Sequence, residues 1–126
     1  MSKDIKQASI DKAEIIGEVF NLYRVFYNQK SNIDVAIKYI RERLDQKESI
    51  IFYIEDGDKC LGFTQLYPTF DSVNVRKKIV LYDLFVREEY RKKSITSEGV
   101  DGLICGFGSL SYILAIEALS NLIYNN

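Results

Sequence analysis

No histidine occurs anywhere in this 126-residue chain, and that absence removes more chemistry than any other feature. Without it there is no Ser-His-Asp or Cys-His nucleophile and no histidine-ligated zinc. Proton transfer falls to carboxylates, tyrosines, lysines or water. Cysteine is nearly as scarce: Cys60 and Cys105 stand apart with no CxxC spacing, which reads as reduced core thiols in a cytoplasmic protein. No apolar run reaches the roughly 20 residues of a membrane span. The polar opening Met1-Ser2-Lys3-Asp4 does not resemble a secretion signal. Neither sign of charge dominates, since 17 basic residues face 18 acidic ones for a net −1. Nothing electrostatic therefore favours nucleic acid or an anionic membrane, and neither partner is expected. Asp56 and Asp58 flank Gly57 without the spaced acids and terminal Glu of a calcium loop, so they read as a turn and no metal site is expected.

Positive charge is also missing from one end. All 17 Lys and Arg lie between Lys3 and Lys93, while residues 94–126 hold three acids and four of the seven glycines. Two explanations stand: a C-terminal segment that sheds charge because it is buried, or a tail derived from a disrupted reading frame or a truncated relative.

The remaining sequence has the size and the 47% apolar content of one globular domain spanning residues 1–126. Residues 4–9 suit a short strand. Asp11 and Glu14 suit a capping box, and Ile15, Ile16, Val19, Leu22, Tyr23 and Phe26 then recur at helical spacing to about Asn28. A second helix starts at Ser31 or Asn32, with Ile33, Ala36, Ile37, Ile40 and Leu44 on one face. Ser49–Glu55 and Cys60–Phe70 read as an antiparallel hairpin turning at Asp56-Gly57-Asp58, with the single proline, Pro68, ending or edging its second strand. Asp71–Lys77 is a polar loop and Lys78–Val86 the next strand. Its alternation places Asp83 and Phe85 on one face, Tyr82 and Leu84 on the other. Arg76-Lys77-Lys78 is a basic run that reads as solvated. Beyond Thr96, Val100–Phe107 has helical spacing interrupted by glycines, and Ser111–Ile116 reads as a buried strand or as part of a terminal helix, the strand being favoured.

Several stretches resemble one family. They are Leu22-Tyr23-Arg24-Val25-Phe26-Tyr27, Tyr39-Ile40-Arg41-Glu42-Arg43-Leu44, Leu61-Gly62-Phe63-Thr64-Gln65-Leu66-Tyr67-Pro68-Thr69-Phe70 and, most closely, Val80-Leu81-Tyr82-Asp83-Leu84-Phe85-Val86 followed by Glu89-Tyr90-Arg91. In this order, over residues 3–93, they resemble the GNAT superfamily of acyl-CoA N-acyltransferases. The resemblance implies an α/β (α+β) fold: a mixed, mostly antiparallel sheet flanked by helices, incomplete at its C-terminus because residues 94–126 diverge. It also implies an N-acetyltransferase that uses acetyl-CoA, acts on the amine of a small molecule or a peptide, and works in the cytoplasm. The alternative is an inactive, truncated relative serving as a dimeric binding module.

Site residues follow from the same resemblance. The backbone of Leu84, Phe85 and Val86 would hold the pantetheine arm, and the loop Arg91-Lys92-Lys93-Ser94-Ile95-Thr96 the diphosphate. Ser94 and Thr96 stand where the family places glycine or alanine, which implies weakened coenzyme A binding. Asp83, Tyr82 and Tyr67 are the candidates for acid-base chemistry. Phe26, Tyr27, Gln65, Tyr67 and Tyr82 are the candidates for holding the acceptor. A sheet lacking its last strands exposes an apolar edge, so the tail from Leu110 to Tyr124 is expected to fold back over it or to pair with a second chain as a homodimer.

Overall fold

The computed structural model describes residues 5–90 and 116–120. Strand β1 (Ile5–Gln7) leads through a 3-10 turn (Ile10–Lys12) into helices α1 (Ala13–Phe26) and α2 (Ile33–Asp45). Strands β2 (Ile50–Asp56), β3 (Lys59–Asp71) and β4 (Arg76–Val86) follow, and a 3-10 turn (Glu88–Tyr90) closes the series. The four strands form one antiparallel sheet in the order β1-β2-β3-β4. Residues 116–120 are helical. The segment Arg91–Thr96, the helical spacing of Val100–Phe107 and most of the expected strand from Ser111 lie outside the described residues; Ile116, at the end of that strand, is helical instead.

The helix ends show which local signals prevailed. Lys12, not Asp11, is the N-cap of α1, and it makes no side-chain cap bond. The Asp11 carboxylate instead accepts from the Ser9 hydroxyl, so the expected capping box is not formed. Helix α1 stops where Asn28 takes φ +67°, a conformation Asn tolerates, while the Gln29 N–H returns to the Arg24 carbonyl at 2.9 Å. Of the two predicted starts, Asn32 caps α2, accepting from the Val35 N–H at 3.2 Å. The link between the helices is held by Asn21, which is buried. Its amide donates to Ser31 Oγ at 3.0 Å and its oxygen accepts from the Asn32 N–H at 2.8 Å. Gly17 lets the helices meet, because a Cβ there would lie 2.6 Å from the Cα of Ile37.

The core divides by sheet face. Toward the helices, Ile16, Val19, Phe20 and Ile40 pack on Ile51, Tyr53, Phe63 and Phe85. On the opposite face Phe52, Ile54, Leu66, Leu84 and Val86 pack with Ala118 and Leu119. Residues 116–120 thus fold back onto the sheet face away from α1 and α2.

Two irregularities shape β4. Gln65 pairs with Asp83 but Leu66 pairs with Leu81, which leaves Tyr82 as an extra, bulged residue. Leu81 and Leu84 consequently share a cluster although three residues apart. Tyr82 does not share the face of Leu84, as strict alternation predicts. Its ring meets that of Tyr67 at 5.4 Å, and the Tyr67 hydroxyl bonds Tyr39 of α2, so Tyr82 lies with the helix-side residues. Strands β3 and β4 also extend past the end of β2 as a two-stranded arm. Pro68 lies in this arm, paired with Ile79, so it edges the sheet rather than ending its strand. Strand β4 begins at Arg76, two residues before the predicted start.

Candidate active site

The C-terminal end of β4 gathers most of the polar chemistry inside this domain. Asp83 is 5% exposed, on the helix side of the sheet. The Tyr23 hydroxyl donates to its Oδ1 at 2.7 Å and the Gln65 amide to its Oδ2 at 2.8 Å. The Tyr67 hydroxyl, bonded to Tyr39, also favours the charged carboxylate. Burial raises the Asp83 pKa above the ordinary carboxylate value, and Tyr23, Gln65 and Tyr67 hold it back. The result is a carboxylate that binds a proton more readily than a solvated one. Gln65 is itself fully buried, and its Oε1 has no partner among the described residues.

A second group of hydroxyls adjoins this carboxylate. Tyr67 and Tyr39 share a hydrogen bond of 2.7 Å, and the Arg43 guanidinium lies 4.7 Å above the Tyr39 ring. Burial first, then the Tyr39 bond and the Asp83 charge, push the Tyr67 phenol upward, so it stays protonated. Cys60 is equally inert: burial pushes its thiol up to about 12, and it donates to the Gly62 carbonyl at 3.3 Å.

The ladder phase decides what the backbone of β4 offers. The Arg87 N–H donates to the Leu61 carbonyl at 2.9 Å, so the peptide groups of Phe85 and Asp83 also point at β3. Those of Leu84 and Val86 point to the outer edge of the sheet. Of the three residues implied for the pantetheine arm, Leu84 and Val86 thus have the right backbone direction. Phe85 contributes a side chain that packs toward α1. Arg87 fixes the strand end further, its Nε donating to the Cys60 carbonyl at 2.7 Å.

Phe26 and Tyr27 reach the same place from α1. Phe26 lies 6.0 Å from Phe85 between ring centroids, and Tyr27 lies 5.1 Å from Tyr23. The structure therefore brings together Asp83, Gln65, Tyr67, Tyr82, Phe26, Tyr27 and Phe85. The loop Arg91–Thr96, with its Lys92, Lys93, Ser94 and Ile95, lies outside the described residues. Tyr23 and Tyr39 escaped sequence reasoning, because both read as aromatic members of amphipathic helices. The available signal was their polar tip: a phenol on a core-facing stripe needs a hydrogen-bond partner. The basic run beginning at Arg76 is in the arm, where Arg76 lies 3.7 Å from Asp71.

The chain is similar to proteins of two kinds. It is 42% identical over 90 residues to an uncharacterized N-acetyltransferase, YhfO, of Bacillus subtilis (strain 168), covering 71% of this chain and 60% of that relative. A crystal structure of a probable acetyltransferase superimposes with a TM-score of 0.64 at 36% identity, covering 71% of this chain and 61% of that one. A predicted acetyltransferase from Clostridium acetobutylicum, crystallised with acetyl-CoA, shares the fold at a TM-score of 0.60 and 9% identity, covering 81% of this chain and 71% of that one. Residues 71–120, however, match the family model described as Dehydroquinase class II. A 3-dehydroquinate dehydratase of Sinorhizobium medicae (strain WSM419) is 55% identical over 42 residues, 33% of this chain and 28% of that relative. The chain spans about 60% of the length of the N-acetyltransferase relative it matches.

The family match begins at Asp71, so β4 and the 3-10 turn after it belong to the acetyltransferase-like sheet and to the dehydroquinase-like segment at once. Arg91–Thr96, which departs from the glycine pattern of a diphosphate loop, lies within this match.

Proposed function

This chain belongs to the GNAT superfamily, and we propose that it is a cytoplasmic, homodimeric N-acetyltransferase. On this reading it transfers an acetyl group from acetyl-CoA to the amine of a small molecule or peptide, at a reduced rate. The observation that carries the reading is the Asp83 carboxylate, buried at the end of β4 and held by Tyr23 and Gln65. Acetyl-CoA, when bound, supplies an acetyl thioester as the electrophile. The outward peptide groups of Leu84 and Val86 suit a pantetheine arm lying along the sheet edge as an added strand would. An amine attacks only when neutral, and Asp83 takes its proton; the raised pKa brings the base closer to the operating pH. Tyr23 and Gln65 fix the carboxylate in position. Impairment is expected because residues 91–96 do not follow the glycine pattern that a diphosphate needs.

The test is thiol release from acetyl-CoA by the full chain across a panel of primary amines. Amine-dependent release that is lost in Asp83→Asn supports the reading. Absence of release with every amine, and of binding heat at millimolar acetyl-CoA, rejects it. A second reading, a non-catalytic dimeric module, is favoured by the match over residues 71–120, which covers the loop proposed to hold the diphosphate. Light scattering of a dimer that binds no acetyl-CoA supports that reading.

A further inference from the structure

Strands β3 and β4 run on together for five residue pairs beyond their contact with β2, from Tyr67 with Val80 to Asp71 with Arg76. Polar bonds fix the tip of this arm. The Asn74 N–H and side-chain amide donate to the two oxygens of Asp71 at 3.3 and 2.8 Å. The Val75 N–H donates to the Ser72 carbonyl at 3.2 Å.

Apolar side chains nevertheless stand in water there. Phe70, Val73 and Val75 are 72%, 91% and 89% exposed, more than any other large hydrophobic residue among those described. Val75 is also strained, because it takes φ +52°, where a β-branched side chain fits poorly. Asn28 and Lys47, the other non-glycine residues of positive φ among those described, each follow a helix, where that conformation closes the helix end. The fold gains no burial from Val75 in return, so its strain marks a contact made outside the domain.

Phe70, Asp71, Ser72, Val75, Arg76 and Lys77 line a groove of about 470 Å³ on the arm. Its one acid, Asp71, already faces Asn74 and the Arg76 guanidinium, 3.7 Å away. Lys77 has no acidic partner among the described residues, and Lys78 stands next to it. The groove therefore favours an occupant that is apolar and negatively charged. A small molecule is a poor fit, because sites for such ligands bury most of the ligand surface and this groove is open. A polypeptide crossing the arm needs no such enclosure.

We propose that the arm docks a segment of a partner protein in which an apolar side chain is flanked by carboxylates. The apolar side chain lies against Phe70 and Val75, with the carboxylates toward Lys77 and Lys78. Removing apolar surface from water supplies the attraction, and the charges select among partners. The surface is separate from the N-acetyltransferase site, since Asp83 lies toward the other end of β4.

The experiment is a calorimetric titration of the full chain with a probe peptide of one phenylalanine between two pairs of aspartates, up to millimolar concentration. One control peptide has serine for the phenylalanine, and another has lysines for the aspartates. Wild type is expected to bind the probe at least tenfold more tightly than either control, and less tightly as salt rises. Phe70→Ser and Lys77→Glu, at exposed positions, are each expected to weaken binding at least fivefold with circular dichroism unchanged. Val75→Asn separates binding from folding: asparagine accepts positive φ, so the melting temperature should rise while affinity falls at least fivefold. No binding, equal binding of a control, a variant that binds as wild type does, or a lower melting temperature for Val75→Asn each overturn the proposal. Tighter binding to vesicles of anionic lipid than to the probe overturns it in favour of a membrane. A wild-type dimer that Phe70→Ser turns into a monomer overturns it as well, because a second copy then covers the arm.

Discussion

The hydroxyl of Tyr23 donates to Oδ1 of Asp83 across 2.7 Å, joining residues 60 positions apart in the chain. That bond ties the C-terminal half of α1 to the end of β4, so the position of the carboxylate depends on how the helix docks. Asp83 sits on the helix side because the bulge at Tyr82 shifts the strand alternation ahead of it. Without the bulge, either Leu81 or Leu84 would leave the opposite core.

Asp83→Asn should separate catalysis from stability. On the proposed reading it removes the general base, which should lower kcat by roughly 10²–10⁴-fold. The fold should survive, because the amide introduced by this substitution can donate to Gln65 Oε1, the buried atom that lacks a partner among the described residues. The Asp83 pKa is raised in the folded state, so its favourable contribution is full below the unfolded value of about 4 and is lost as pH rises through the folded value. At pH 8 the substituted protein should therefore melt at or above the wild type, and the difference should shrink toward pH 4. A melting temperature several degrees below wild type at pH 8 would contradict the burial argument.

Tyr23→Phe should leave Asp83 buried with one donor fewer. The Tyr23 bond lowers the carboxyl pKa, so its removal should move the acidic limb of the kcat/KM profile to higher pH. A change in kcat with no movement of that limb would assign Tyr23 to packing alone.

Much of the fold was legible in residue order, and the failures have identifiable causes. The Asn32 cap and the Gly57 turn are local signals that tertiary contacts did not overrule. The Asp11 capping box failed because Ser9 captured the carboxylate first. The Tyr82 bulge left no local trace, since nothing in Val80-Leu81-Tyr82-Asp83 distinguishes a bulged residue from a paired one. The site was half legible: Asp83 and Gln65 were singled out, but their partner Tyr23 was hidden in a helical stripe. The similarity of residues 71–120 to another family could not be read from composition at all.

Gly17→Ala tests the helix-helix contact. Alanine favours an α-helix over glycine by about 1 kcal/mol, yet its Cβ would lie 2.5 Å from Ile37 Cγ1 and 2.6 Å from Ile37 Cα. The second neighbour is backbone and cannot rotate away. Overpacking of this kind costs about 1–3 kcal/mol, so urea unfolding should show net destabilisation. A more stable protein would mean that α1 and α2 separate readily.

Glu55→Gln probes the ion pairs that hold β1 and the start of α1. The Glu55 carboxylate lies 3.2 Å from both Lys6 and Lys12, and hydrogen bonds from Lys12 and then Lys6 lower its pKa. A depressed carboxylate stabilises the fold above its unfolded pKa and loses that effect as pH falls through the folded one. Wild type should exceed the Gln variant by about 0.5–1 kcal/mol near pH 7, and the gap should close well below pH 4. Added salt should narrow it at neutral pH.

Leu119→Ala asks whether the C-terminal segment belongs to the domain. Leu119 is fully buried against the sheet face that carries Leu84 and Val86. Truncating such a side chain costs about 2–5 kcal/mol through lost burial and the cavity left behind. Urea unfolding should therefore register a large loss at Leu119 and almost none for Ser120→Ala at its exposed neighbour. An equal, small effect at both positions would place residues 116–120 off the sheet. It would also reopen the apolar face of β4 as a surface for a second chain. A large effect at Leu119 alone would mean that a segment patterned on one family covers a sheet built by another.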